Sequence, residues 1–160
     1  MNRRTALTLL AAGAALAGCG QGGGPQSAGP RGPGVLGVAG ANGLGRFVRA
    51  ADSAGLTEVL AASGPFTLFA PTDRAFAASA AGRLDGEALQ RLIAYHVVPG
   101  QLTSDFLEGM DVNHTTLLGS SLNVDGTGTG LRVNGAAVVR ADLLASNGVV
   151  FAIDRVLTPR

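Results

Sequence analysis

The chain has 160 residues, room for one domain with a real core once any export signal is set aside. All 12 basic residues are Arg, which excludes a phosphate-loop lysine and a Schiff-base lysine, and the single Cys excludes an internal disulfide framework and a cysteine-based structural zinc site. A net charge of +1 with scattered arginines gives no electrostatic footprint for nucleic acid.

Residues 1–18 read as an export signal. Met1-Asn2-Arg3-Arg4 is a short basic start, and Thr5 to Gly18 is uncharged and rich in Ala and Leu. That stretch is too short to span a bilayer, which needs about 20 apolar residues, and it fits the apolar part of a signal peptide. Leu16-Ala17-Gly18-Cys19 resembles the bacterial lipobox, which implies a covalent lipid on Cys19 and cleavage just before it. An ordinary secretory signal with an incidental cysteine is the alternative. Arg3-Arg4-Thr5-Ala6-Leu7 also loosely resembles a twin-arginine export signal. Cleavage before Cys19 would leave 10 Arg against 11 acids, so membrane attachment would come from the lipid and not from a basic patch.

Residues 19–41 read as the lipidated cysteine followed by a flexible tether. Gly20 to Gly45 holds 11 Gly together with Pro25, Pro30 and Pro33, and bulky apolar residues are absent before Val35. Such a segment buries too little surface to offset its ordering entropy. A flexible chain of this length spans roughly 25–30 Å.

The folded part is expected over residues 42–160. Leu44, Phe47, Val48 and Ala51 at i, i+3, i+4, i+7 predict an amphipathic helix that Gly55 can end in the left-handed conformation. Leu56, Val59 and Leu60 predict a second short helix. Phe66 to Ala70 reads as a buried strand opened by Pro65. After Pro71, Thr72 or Asp73 can cap a helix carrying Ala75 and Phe76. Asp85 is placed to cap a helix with Leu89, Leu92 and Ile93 on one face, with Leu84 and Leu89 as its hydrophobic staple. Val97-Val98-Pro99-Gly100 reads as a strand and a turn. Beyond it the period changes to two: Leu122 and Val124, then Leu131 and Val133, alternate with polar residues. Asn134-Gly135 predicts a hairpin, and Asn147-Gly148 a second turn before Val149 to Ile153. Helices first and hairpins later predict an α+β fold.

Three blocks of this sequence resemble the fasciclin domain family. Thr67-Leu68-Phe69-Ala70-Pro71-Thr72-Asp73-x-Ala75-Phe76 resembles its first block and Tyr95-His96-Val97-Val98-Pro99-Gly100 its central Tyr-His block. Ala141-Asp142, then Asn147-Gly148-Val149-Val150-x-x-Ile153-Asp154-x-Val156-Leu157-x-Pro159, resembles the closing block. The resemblance implies small helices packed on a β-wedge of antiparallel-rich sheet. It implies a secreted or surface-anchored protein of adhesion or extracellular protein interaction. Two departures stand out: the stretch from Phe76 to Tyr95 is short by about a helix, and Phe151 stands where the family often has His.

Few residues invite a chemical role. Tyr95-His96 matches the dipeptide that the family resemblance links to receptor binding; a buried histidine satisfied locally is the alternative, and the resemblance points to Thr72 or Asp73 as its partners. Asp73 could act as a general base in a cleft, although helix capping explains it more simply. Asn147, Gly148 and Asp154, like Thr72 and Asp73, are expected to be structural members of the blocks, and Asp142 and Asp154 to make turn or strand-end hydrogen bonds. His114, near Asp111, has no second ligand at helical or hairpin spacing, so no metal site is expected. Asp125-Gly126-Thr127-Gly128-Thr129-Gly130 precedes a strand-like run and not a helix, so it reads as a hairpin tip and not a phosphate loop. Arg46, Arg49, Arg83 and Arg91 are expected to solvate helix surfaces. No serine sits in a nucleophile-elbow pattern.

The expected function is a non-enzymatic adhesion or protein-interaction module, tethered by lipid at a bacterial membrane, in the periplasm or on the cell surface. Its partners would be the membrane and an unidentified extracellular or envelope protein. No cofactor, metal or nucleic acid is expected. A small-ligand-binding lipoprotein is the alternative, and an enzyme a third reading that would need paired titratable groups in one cleft.

Overall fold

The computed structural model describes residues 32–62 and 64–159. The signal segment, Cys19 and the tether up to residue 31 lie outside the described residues. A short helix α1 (Val35–Ala41) leads into α2 (Gly45–Ser53) and α3 (Thr57–Ala62), followed by strand β1 (Phe66–Pro71). Helix α4 (Asp73–Ala78), a 3-10 turn (Ala80–Arg83) and helix α5 (Gly86–Tyr95) lead to β2 (Val97–Pro99) and the one-turn helix α6 (Ser104–Leu107). The chain then runs through β3 (Asp111–Thr115), β4 (Ser121–Asp125), β5 (Arg132–Val133), β6 (Ala136–Ala145) and β7 (Gly148–Ile153).

The strands form a seven-stranded sheet in the order β2-β1-β7-β6-β5-β4-β3. All neighbours are antiparallel except β1 and β7, which run side by side from Phe66↔Gly148 to Pro71↔Ile153. The fold is α+β, as the period change predicts. Every residue of β1 and β7 is buried, because both faces of this pair are covered. Leu68, Ala70, Val150 and Ala152 pack against the helices with Phe47, Leu60, Leu92 and Ile93. Phe69, Val149, Phe151 and Ile153 face the other way, toward Leu107, Leu122, Val124, Val133 and Leu157. Phe151 stacks on Phe69 at 5.4 Å, so the departure from His at this position is absorbed by an aromatic pair in the core.

Local rules account for most boundaries. Helix α2 ends in a full Schellman arrangement: the Leu56 amide donates to Ala51 O, the Gly55 amide to Asp52 O, and Gly55 takes φ +70°. The Asn134-Gly135 hairpin joins β5 to β6, with φ 47° and 82° at the two turn residues, as a type I′ turn requires. Residues 126–131 form the tip between β4 and β5. There the Thr127 amide and hydroxyl both donate to Asp125, which holds that carboxyl below its ordinary range.

Several expectations are corrected. Residues 35–41, read from composition as tether, are helix α1, with Val35, Val38 and Ala39 buried in the core. The N-terminal residue Gly34 offers no side-chain cap; the cap comes from Asn147, whose Oδ1 accepts the Val35 amide at 2.8 Å from 112 positions away. Asp85 sits at the start of α5 but makes no capping bond with its side chain. The turn before β7 is Ser146-Asn147, and Gly148 is already the first residue of the strand, paired with Ala145. Val59, counted on the apolar face of α3, is 46% exposed.

Candidate functional site

Tyr95 and His96 close α5 at the centre of the fold, where the helix hands over to β2. Both are sealed in, at 1% and 0% exposure. The Leu92 carbonyl 2.8 Å from His96 Nδ1 can only accept, so Nδ1 carries the proton. Nε2 is then the acceptor, and the Leu157 amide donates to it at 3.0 Å. The imidazole is neutral, in one tautomer, with Phe47 tilted over it at 5.4 Å. Burial lowers its pKa from 6.5 to about 4, against a smaller opposing effect of the Leu92 hydrogen bond. Thr72 and Asp73, the partners implied by the family resemblance, do not contact the ring through a hydrogen bond; Leu92 and Leu157 hold it instead. The Leu157 amide lies 61 positions downstream and carries no side-chain signal in the sequence.

Tyr95 anchors the opposite layer. Its hydroxyl donates to Ser121 O at 3.0 Å and accepts from Asn134 Nδ2 at 2.7 Å. Asn134 in turn accepts the Asn123 amide on its Oδ1. One hydroxyl therefore ties α5 to β4 and to the β5–β6 hairpin.

The remaining block residues also bind the chain to itself. Thr72 Oγ1 accepts the Ala75 amide at 3.2 Å and caps α4. Asp73 caps a different helix: its Oδ1 accepts the Arg46 amide, in the first turn of α2, at 2.7 Å. Asn147 accepts from Val35, donates to Leu60 O at 2.5 Å, and through its carbonyl accepts the Phe66 amide. A Cβ on Gly148 would stand 1.9 Å from Phe66 O, so no side chain fits between β7 and β1. Asp154 accepts the Ala137 amide at 2.8 Å. Asp142, at φ 53° in an irregular part of β6, accepts the Ser104 amide and hydroxyl at the start of α6. The expected turn and strand-end bonds of Asp142 and Asp154 are present. Their partners, often in distant elements, were not readable.

His114 lies on β3 opposite Leu122, with Nε2 buried and unpartnered and its pKa lowered by burial. Among the described residues no group of three or more His, Cys, Asp or Glu is placed to hold a metal ion. A concave region lies instead between α2, α4 and the start of α5. Two adjoining cavities of about 360 and 370 Å³ share Arg46, Phe76 and Gly82. Arg49 and Leu89 line the first and Arg83 the second. This is the stretch where the chain is short between Phe76 and Tyr95. The arginines were expected only to solvate helix surfaces.

The fasciclin domain model matches residues 42–159. The chain belongs to the fasciclin domain family. It is 40% identical over 120 residues to the protein sll1483 of Synechocystis, an alignment covering 71% of this chain and 66% of that one. It is 36% identical over 101 residues to the cell surface glycolipoprotein MPB83 of Mycobacterium bovis, covering 60% of this chain and 44% of that one. A FAS1 domain pair from the insect cell adhesion molecule Fasciclin I shares the fold, with a TM-score of 0.57 and 22% identity over 73% of this chain and 46% of that one. This fasciclin chain therefore corresponds to part of several relatives. Among its described residues no helix is long and apolar enough to cross a membrane.

Proposed function

We propose that this fasciclin-domain protein is anchored by a lipid on Cys19 outside the cytoplasm and acts as a non-enzymatic adhesion or protein-interaction module. Family membership over residues 42–159 carries the reading. The lipobox-like Leu16-Ala17-Gly18-Cys19 supports the anchor, as does the likeness to the cell surface glycolipoprotein MPB83.

The mechanism is presentation. The Ser146 amide donates to Pro33 O at 3.1 Å, so the tether joins the domain beside the starts of β1 and β7. Those strands run parallel for six residues, about 20 Å. Their far ends carry Thr72, Asp73 and Asp154, on the side away from the tether. A domain held at its other end would offer that end to its partner. The non-enzymatic reading rests on His96, whose two ring nitrogens are both committed to the backbone in a sealed interior.

Two experiments test the proposal. Labelled fatty acid should enter the wild type and not Cys19→Ala; equal labelling of both contradicts the anchor. The whole chain, immobilised and exposed to crosslinked envelope extract, should retain a saturable protein partner. A folded bait that retains nothing beyond a control domain contradicts the interaction reading.

A further inference from the structure

The groove between α2, α4 and α5 has an unusual lining. Arg46, Arg49 and Arg83 surround a floor that includes Phe76 and Leu89, with two acids near them, Asp85 in the lining and Asp73 on the Arg46 amide. Among the described residues, none of the carboxylate hydrogen bonds goes to a guanidinium; Asp73 takes only the Arg46 backbone amide. Guanidinium groups beside an apolar floor are suited to an oxyanion carried next to a bulky apolar side chain.

The chain holds a surface of the complementary kind. At the α6–β3 junction, Asp105, Glu108 and Asp111 are exposed around Phe106 and Met110. Phe106 is 54% and Met110 41% exposed, while Leu107 between them is fully buried and fixes the turn. The Gly109 amide donates to Gly126 O and the Gly126 amide to Met110 O, so this knob is held rigidly against the β4–β5 tip. Knob and groove share no helix or strand. The tether cannot fill the groove itself, since residues 20–31 contain no acid and one arginine.

We infer that the groove is a docking site for a second copy of this chain, which inserts the acidic, apolar knob at residues 105–111. Each copy offers one groove and one knob on different elements, so the contact is heterologous and builds open head-to-tail chains. Phe106 of one copy seats on the apolar floor while Asp105 and Glu108 meet the arginines. The inference deepens the interaction reading by naming a partner and a surface for it.

Complementation tests this directly. The chain from residue 19, carrying Cys19→Ser so that no lipid contributes, is followed by sedimentation velocity. Arg46→Ala breaks the groove, leaves the Asp73 bond to the residue 46 amide in place and creates no partner for an altered knob. Glu108→Arg breaks the knob at the end of α6. Circular dichroism and an unchanged thermal midpoint verify that both variants fold. Wild type is expected to form species that grow with concentration and shrink when salt is raised. Each variant alone is expected to stay monomeric, and an equal mixture of the two to stop at a dimer, because only one intact groove and one intact knob remain. A wild type that stays monomeric overturns the inference, as does association of either variant alone to the wild-type extent. A folded, monomeric wild type that still captures an envelope protein would end this inference while leaving the interaction reading intact.

Discussion

Two neighbourhoods of this domain, one around Tyr95 and His96 and one around three arginines, are built on opposite principles. Around Tyr95 and His96 every polar atom of the pair is spent on the domain's own backbone or on Asn134, and exposure is nearly zero. Around Arg46, Arg49 and Arg83 the guanidinium groups line open concavities. The first region carries the residues by which the family is recognised; the second carries none of the family blocks except Phe76. Most residues that mark this chain as a fasciclin domain hold it together, and the docking groove inferred above is lined, apart from Phe76, by residues outside the marks.

Substitutions in the buried region should then act on stability. The largest effect is expected at Gly148→Ala, where a methyl group would overlap the Phe66 carbonyl and the φ of +155° disfavours a side chain. The β1–β7 pairing must shift, and chemical denaturation should show a loss above about 4 kcal/mol. His96→Ala leaves a cavity and strands the Leu92 carbonyl and Leu157 amide, and should cost about 3 kcal/mol in the same measurement.

The same ring makes stability depend on pH. Its folded pKa is about 4 against 6.5 unfolded, so the unfolded chain takes up the proton first as pH falls. The His96 contribution is fully present above pH 6.5 and is lost between 6.5 and 4. It should amount to about 3 kcal/mol, seen as the extra acid sensitivity of wild type over His96→Ala.

Smaller effects are expected at the caps. Asn147→Ala removes the cap of α1 and the tie to Leu60 and should cost about 2 kcal/mol, with early loss of hydrogen-exchange protection in α1. Asp73→Ala removes only the cap on α2 and should cost about 1 kcal/mol. Arg46→Ala, in the open region, should move stability by less than about 0.5 kcal/mol. A large loss there would erase the contrast between the two regions.

Much of the fold was legible in the sequence. The amphipathic spacing of Leu44, Phe47 and Ala51, the Gly55 stop and the Asn134-Gly135 turn are local patterns, and each produced its element. Helix α1 was not legible, because its cap is Asn147, 112 positions away, and part of its packing surface is formed by the distant strands β6 and β7. The partners of His96 were hidden for a related reason: both are backbone groups, and backbone groups have no residue identity to read. The groove carries no local pattern, because Arg46 and Arg49 follow ordinary helix-surface spacing and Arg83 sits on the 3-10 turn. Only the tertiary packing of α2 against α4 and α5 gathers them around Phe76.

The most direct test of the central claim measures stability and association on one variant. His96→Ala should lose about 3 kcal/mol of unfolding free energy while its folded fraction associates as wild type does. Undiminished stability together with lost association would place His96 in the interaction surface and contradict the account.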